Sequence, residues 1–412
     1  MPDQPFRFLH ASDFRLDAVP RGLSEVPDHL RDCLLDAPYT AARRVFDTAI
    51  SERVAFVLLA GNILQAERTG PRGTAFLLEQ FDRLATAGIA VYWAASETDR
   101  PETWPAAAII PKNVRLFARD HITEFLHPSD GPALVRIVGT SCGRDPRAGA
   151  PLCPADFVPD PVGLFSIAAA CGEMEPAEMQ SQGIHYWALG GRIERATLFD
   201  TPVAAHYPGT PQGRNPRESG ARGCTLASVD ERGSVRLTPV ACSALQWHEE
   251  PISLDPSTRR EDLETMCAQR IRALAEHSKC DLLVTWSIGG SGPLLAELRR
   301  GKFRGELLEW LRIEHGLSSP VVWTVGLEAV SDIALPTALY EQETLLGDYL
   351  RALREYEVDP QQPLDVESLL AADPSATSFA RSVAISDAVM RKRVLHEAAL
   401  LGIDLLSGEA TS

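Results

Sequence analysis

Short continuous apolar runs alternate along the first half of the chain with stretches whose apolar positions recur every three or four residues. Phe6–Ser12 (FRFLHAS) reads as a strand, and Pro38–Arg53 as a helix with Ala42, Val45, Phe46 and Ala49 on one face. Ala55–Gly61 (AFVLLAG) is a continuous apolar strand, Thr74–Ala87 a helix and Ile89–Ala95 (IAVYWAA) a further strand. This β-α-β-α-β order predicts a parallel sheet buried on both faces. Further strands are expected at Ala133–Thr140, Leu164–Ala170, His185–Gly190, Val203–Tyr207, Cys224–Asp230 and Val235–Val240. The last two flank a hairpin turn at Asp230–Gly233. Their short spacing predicts a second, more antiparallel sheet packed on the first.

A polar, proline-containing break falls near Glu249–Pro256. Beyond it come a helix over Arg259–His277, a strand over Asp281–Ser287, a helix over Leu294–Glu314 and a strand over Val321–Val325. After Pro336 the pattern is purely helical, with helices at Glu341–Glu357 and Ser378–Leu406 separated by Pro360, Pro363 and Pro374. The predicted divisions are therefore 1–250, 251–335 and 336–412.

The 412 residues, 45% apolar and 23% charged, have the composition of a globular chain with large buried cores, which excludes wholesale disorder. No apolar run approaches the ~18–20 residues of a membrane span, and a cytoplasmic location is expected. The formal charge of −16 is spread along the chain and argues against avid nonspecific DNA binding. Eight scattered cysteines (Cys33, Cys142, Cys153, Cys171, Cys224, Cys242, Cys267, Cys280) form no Cys-x-x-Cys pair, so they read as reduced, mostly core residues.

In an open α/β sheet the chemistry sits at the carboxyl ends of the strands. Those ends read Asp13-Phe14-Arg15, Gly61-Asn62, Ser96-Glu97-Thr98-Asp99, Cys171-Gly172 and Gly190-Gly191-Arg192-Ile193. Their order and spacing resemble the calcineurin-like metallophosphoesterases. The segments FRFLHASD, AFVLLAGN, IAVYWAASETD, HYWALGGRIER and YPGTPQGR (Tyr207–Arg214) resemble the SbcD-type DNA repair exonuclease branch. The resemblance covers residues 6–250 well and the smaller unit after them more loosely. It implies two packed mixed β-sheets flanked by helices, a small α/β capping domain and a helical C-terminal tail.

In the resembled family the strand ends read Asp-x-His, Gly-Asp, Gly-Asn-His-Asp/Glu, His and Gly-His-x-His, and they hold two divalent ions that activate water for hydrolysis. Here Asp13 matches the first ligand. Arg15 stands at the first His, Asn62 at the bridging Asp, Glu97 at the Asn and Thr98 at the catalytic His. Cys171 stands at the lone His, and Gly191 and Ile193 at the final pair. An Asn gives one neutral oxygen where an anion must balance two dications, and Gly and Ile offer no donor. The two-metal site and its hydrolysis are expected to be absent, with Arg15 pairing between Asp13 and Glu97.

No cofactor is expected. The alternative is one zinc or manganese ion at low occupancy, with Asp13, Asn62, Glu97 and Cys171 as candidate ligands. His10, His185 and His206 are expected to be strand histidines bonded to backbone or water. Arg299-Arg300-Gly301-Lys302-Phe303-Arg304 is either a nucleic-acid contact or a solvated helix face, and Gly289-Gly290-Ser291-Gly292 lacks a P-loop ending and reads as a turn. The resemblance implies a catalytically degenerate SbcD-like protein with a structural or regulatory role in a DNA-repair complex. Its implied partners are an SbcC-like, SMC-type coiled-coil ATPase, DNA reached through that partner, and a second copy in a homodimer; no membrane is implied. The rivals are an active nuclease or phosphodiesterase with a reduced metal site, and a nucleotide- or phosphate-sensing module.

Overall fold

The computed structural model describes residues 4–99, 101–128, 135–141, 156–174, 176–179, 183–200, 202–330, 337–358 and 388–406. The chain divides into two compact units. One comprises Met1–Glu249, Ser278–Val284 and Ser319–Val325; the other comprises Glu250–His277, Thr285–Ser318 and Gly326–Ser412.

The first unit carries, in chain order, β1 (Phe6–Ser12), α1 (Asp28–Ser51), β2 (Phe56–Gly61), α2 (Ala66–Thr69), α3 (Pro71–Thr86), β3 (Ala90–Ala95), β4 (Val114–Leu116), β5 (Thr123–His127) and β6 (Val135–Gly139). β7 (Ser166–Cys171), α4 (Pro176–Met179), β8 (Tyr186–Gly190), β9 (Ala196–Phe199), β10 (Ala204–Tyr207), β11 (Gly223–Val229) and β12 (Val235–Ala241) follow. They build two six-stranded mixed sheets, ordered β12-β11-β1-β2-β3-β4 and β5-β6-β7-β8-β10-β9.

The period-two geometry of a strand explains why these runs are apolar throughout. On β1, Phe6 and Phe8 face the second sheet, where Phe56, Leu58, Tyr92, Ile137, Phe165, Ile167 and Tyr186 join them. The alternate residues Leu9 and Ala11 face outward with Val57, Leu59 and Trp93, under Val45 and Phe46 of α1 and Leu77 and Phe81 of α3. The outer face of the second sheet is covered around Phe157, Met179, Trp187 and Leu189. The central strands of both sheets are thus buried on both faces, and the expected helix-flanked sandwich is what the chain forms.

Several expectations are corrected. The β11–β12 hairpin extends the first sheet, because β11 pairs antiparallel with β1 from Phe6↔Val229 to His10↔Thr225. The second sheet is parallel through its centre, β6-β7-β8-β10, and antiparallel only at its edges. Strands β4, β5 and β9 are short and part-exposed, and too brief to leave a periodic signal. α1 begins ten residues before Pro38, which sits buried inside the helix. A proline there removes one backbone bond; burial of Leu30, Leu34 and Ala37 against Leu245, Trp247, Leu283 and Trp323 favours the helix regardless.

The remaining elements are β13 (Leu245–Leu254), α5 (Arg260–His277), β14 (Asp281–Gly290), α6 (Pro293–Arg300), α7 (Lys302–His315), β15 (Val322–Ala329), α8 (Thr337–Tyr340), α9 (Leu345–Val358) and α10 (Ala388–Leu406). β13, β14 and β15 form a three-stranded sheet in that order. The single helix expected over Leu294–Glu314 is two, broken at Gly301, whose φ of 92° is left-handed. α9 and α10 pack through Leu346, Leu350 and Ala399, and Tyr349 Oη donates to Ala398 O at 2.9 Å. The stretch expected to start the last helix, including Phe379 and Val383, lies outside the described residues, as do Cys142 and Cys153. Of the other cysteines, Cys224, Cys242 and Cys267 are buried and Cys33, Cys171 and Cys280 half-buried. Among the described residues, no helix is long and apolar enough to cross a membrane.

Candidate functional site

The strand ends meet where β1 and β2 of one sheet approach β8 of the other. Leaving β1, Asp13 and Arg15 take φ values of 54° and 45°, a region that L side chains seldom adopt. Hydrogen bonds from Asp13 N to Ala60 O (3.2 Å) and from Arg15 N to Asn62 O (2.9 Å) hold this turn beside the end of β2. The fully buried Asp13 carboxylate accepts from Asn62 N at 3.1 Å on one oxygen and from Gly191 N at 2.8 Å on the other. Gly61 makes room for it: a Cβ there would lie 2.6 Å from Asp13 Oδ1. Burial raises the Asp13 pKa, against the downward pull of the two amides, the Ser12 hydroxyl and the Arg15 charge.

Arg15 acts on Asp13 through space, but among the described residues it forms no ion pair with it. The bridge expected between Asp13 and Glu97 therefore does not form at its Asp13 end. Arg15 is half-buried on the wall of a cleft of about 320 Å³ that it shares with Asn62 and Thr98. Thr98 Oγ1 donates to Asn62 Oδ1 at 2.9 Å; Thr98 and Glu97 are otherwise exposed.

Asp99, next in the chain, does more than sequence reading assigned to it. Only 1% exposed, its carboxylate accepts from Ile63 N on both oxygens (3.1 and 3.0 Å), from Leu64 N (2.8 Å) and from Ser96 N (3.2 Å). It ties the loop after β2 to the loop after β3, and burial pushes its pKa up to about 7. The signal was available, since Asp99 registers with the closing carboxylate of the Gly-Asn-His-Asp/Glu pattern.

On the second sheet, Cys171 is half-buried near Gly191: a Cβ on Gly191 would lie 3.8 Å from its Sγ. Ile193 contributes its carbonyl, which accepts from Thr210 N (3.0 Å) and Arg222 Nη1 (2.9 Å). Arg192 lies 4.6 Å over the Tyr207 ring and pairs with Glu173 at 3.4 Å. The buried Tyr207–Arg214 segment underlies the strand ends: Thr210 Oγ1 donates to Asp13 O at 2.9 Å, and Gln212 Nε2 to Leu245 O at 2.8 Å. Asp13, Arg15, Asn62, Thr98, Cys171 and Gly191 thus converge, and Ile193 braces the loop behind them. Among the described residues, no three His, Cys, Asp or Glu side chains are placed to hold a metal ion.

Of the histidines near the strand ends, His185 bonds to backbone as expected, whereas His10 and His206 bond instead to side-chain hydroxyls of neighbouring strands. His10 Nδ1 lies 2.9 Å from Tyr186 Oη, and His185 Nδ1 accepts from Ser166 N at 3.0 Å. His206 spans Thr197 Oγ1 (2.9 Å) and Thr225 Oγ1 (2.8 Å). Burial, aided by Arg195, lowers its pKa from 6.5 to about 4. The folded state therefore resists protonation that the unfolded chain accepts. Its stabilising contribution is complete above about pH 6.5 and is lost as pH falls through about 4. Urea denaturation at several pH values should show a shallower acid loss in His206→Gln; an unchanged slope would contradict this assignment.

Of the other sequence candidates, Phe303 and Gly290 are packed within the fold. Phe303 is 3% exposed, with the Arg260 guanidinium 4.3 Å over its ring, so it presents no stacking surface to a nucleic-acid base. Arg260 also pairs with Glu297 and, at 3.6 Å, with Glu306. Gly289 and Gly290, expected in a turn, instead end β14, and a Cβ on Gly290 would lie 2.2 Å from Leu254 O, so that glycine serves close backbone packing.

No family model matches the chain. It is 25% identical over 340 residues, 78% of its own length and 81% of the relative's, to an uncharacterized metallophosphoesterase, YhaO, of Bacillus subtilis strain 168. The two mixed sheets flanked by helices are consistent with the metallophosphoesterase sandwich fold.

Proposed function

We propose that the chain is an SbcD-like protein that keeps the phosphoesterase sandwich without two-metal hydrolysis and serves a structural or regulatory role in a DNA-repair complex. The donor set around Asp13 carries this; the Asp13 carboxylate itself accepts from Asn62 N on one oxygen and from Gly191 N on the other. Around it the donors do not fit two dications. Arg15 brings a permanent cation, Asn62 Oδ1 accepts from Thr98, and Gly191 and Ile193 supply no side-chain donor. Replacing even an outer-shell partner typically costs ~10–100-fold in metal affinity or activity; the loss of several ligands weighs more. In this role the partner would be an SbcC-like coiled-coil ATPase, with DNA engaged through it, as the overall acidity of the chain favours.

The test is hydrolysis of DNA and of a chromogenic phosphodiester by the purified chain with excess manganese. No turnover above the protein-free rate is expected. Manganese-dependent turnover that disappears in Asp13→Ala would overturn the proposal.

A further inference from the structure

The cleft beside Asp13 is basic in an acidic chain. Arg15, Arg21, Arg68 and Arg214 line it, against Asp17 and Glu218, for a net charge of +2 where the whole chain carries −16. Both carboxylates are already engaged: Arg68 pairs with Asp17 and Arg214 with Glu218, each at 3.4 Å. Among the described residues, Arg15 and Arg21 form no ion pair, although the Arg15 charge acts through space on the buried Asp13 carboxylate behind the cleft. Arg214 is only 5% exposed and Arg15 half-buried, where solvent screens charge less than at an open surface.

The backbone that carries these side chains is tied to the neighbouring loops: Arg15 N donates to Asn62 O at 2.9 Å and Arg21 N to Arg214 O at 2.6 Å. Asn62 turns its carbonyl to Thr98, which leaves its amino group as a donor. Guanidinium forks match the spacing of phosphate oxygens, and the position, at the carboxyl ends of the strands, is where α/β sheets place ligands. Carboxylate ligands would be served by a single fork. Several arginines and an amide donor converging from separate loops suit a group with three peripheral oxygens.

We propose that this cleft is a metal-independent binding site for a phosphate group, free or carried as a phosphomonoester. The proposal rests on the reading that Arg15 has taken the place of metal charge, and it adds a ligand to a centre that does not hydrolyse.

Calorimetric titration of the full chain, in chelator and at ionic strength matched with chloride, tests it with inorganic phosphate and with AMP. One-to-one binding is expected, weakened about tenfold or more in Arg15→Gln and in Arg21→Gln. Equal affinity for both ligands assigns the site to the phosphate group alone; tighter AMP assigns it to the ester. Absence of binding by both ligands, affinity unchanged in both variants, or binding that requires manganese overturns the proposal. Circular dichroism establishes that the variants fold. The hydrolysis assay separates the two ideas: manganese-dependent turnover defeats the non-hydrolytic reading, whereas no turnover and no phosphate binding defeats this inference alone.

Discussion

Asp99→Ala should lower the free energy of unfolding by about 3–5 kcal/mol, because it strands three buried backbone donors at once. Ile63, Leu64 and Ser96 all donate to this carboxylate. Asp99→Asn keeps one acceptor oxygen and should fall between the variant and the parent. The pH dependence gives a second readout. With the folded pKa raised from 3.8 to about 7, the folded state holds this proton more tightly than the unfolded chain. Its contribution is complete below about pH 4 and is lost as pH rises through about 7, opposite in sign to that of His206. Asp99→Asn should remove that slope. Urea denaturation across this range measures both effects, and an alanine variant within about 0.5 kcal/mol of the parent would refute the assignment.

Gly190→Ala should be destabilising by about 3 kcal/mol or more. Gly190 ends β8 where the second sheet comes closest to the first. A Cβ there would lie 2.4 Å from both Ala60 C and Gly61 N, and 2.8 Å from Ala60 Cβ. The first two are main-chain atoms of β2 and the third is a methyl with no rotamer to change, so no side-chain rotation relieves the clash and the sheets must separate. The separation would also pull Gly191 N from Asp13, whose hydrogen bond spans the same gap. A variant that unfolds at the parental urea concentration would show that the sheets yield more readily than their packing implies.

Much of this fold was legible in sequence because its strands are buried on both faces. FRFLHAS, AFVLLAG and IAVYWAA leave unbroken apolar runs that only a covered parallel sheet accommodates, and the strand that each run forms begins and ends within a residue of the reading. Edge strands such as Val114–Leu116 were not legible, since three part-exposed residues carry no period. The β11–β12 hairpin was recognised as a hairpin but assigned to the other sheet. Its own residues fix its turn, while β1, more than two hundred residues earlier, fixes its partner.

The candidate site divides in the same way. The sequence by itself determined which residues stand at the strand ends, because a strand's last residue is set by local periodicity and the turn that follows. Local periodicity alone places Asp13, Arg15, Asn62, Thr98, Cys171 and Gly191 in that row. Only the tertiary structure decided what those residues do there. Asp13 meets an amide 178 positions away, Asp99 clamps two loops, and four arginines from three separate segments gather around one cleft. Periodicity acts over a few neighbouring residues; hydrogen-bond satisfaction and charge convergence depend on which distant segments the buried core brings together.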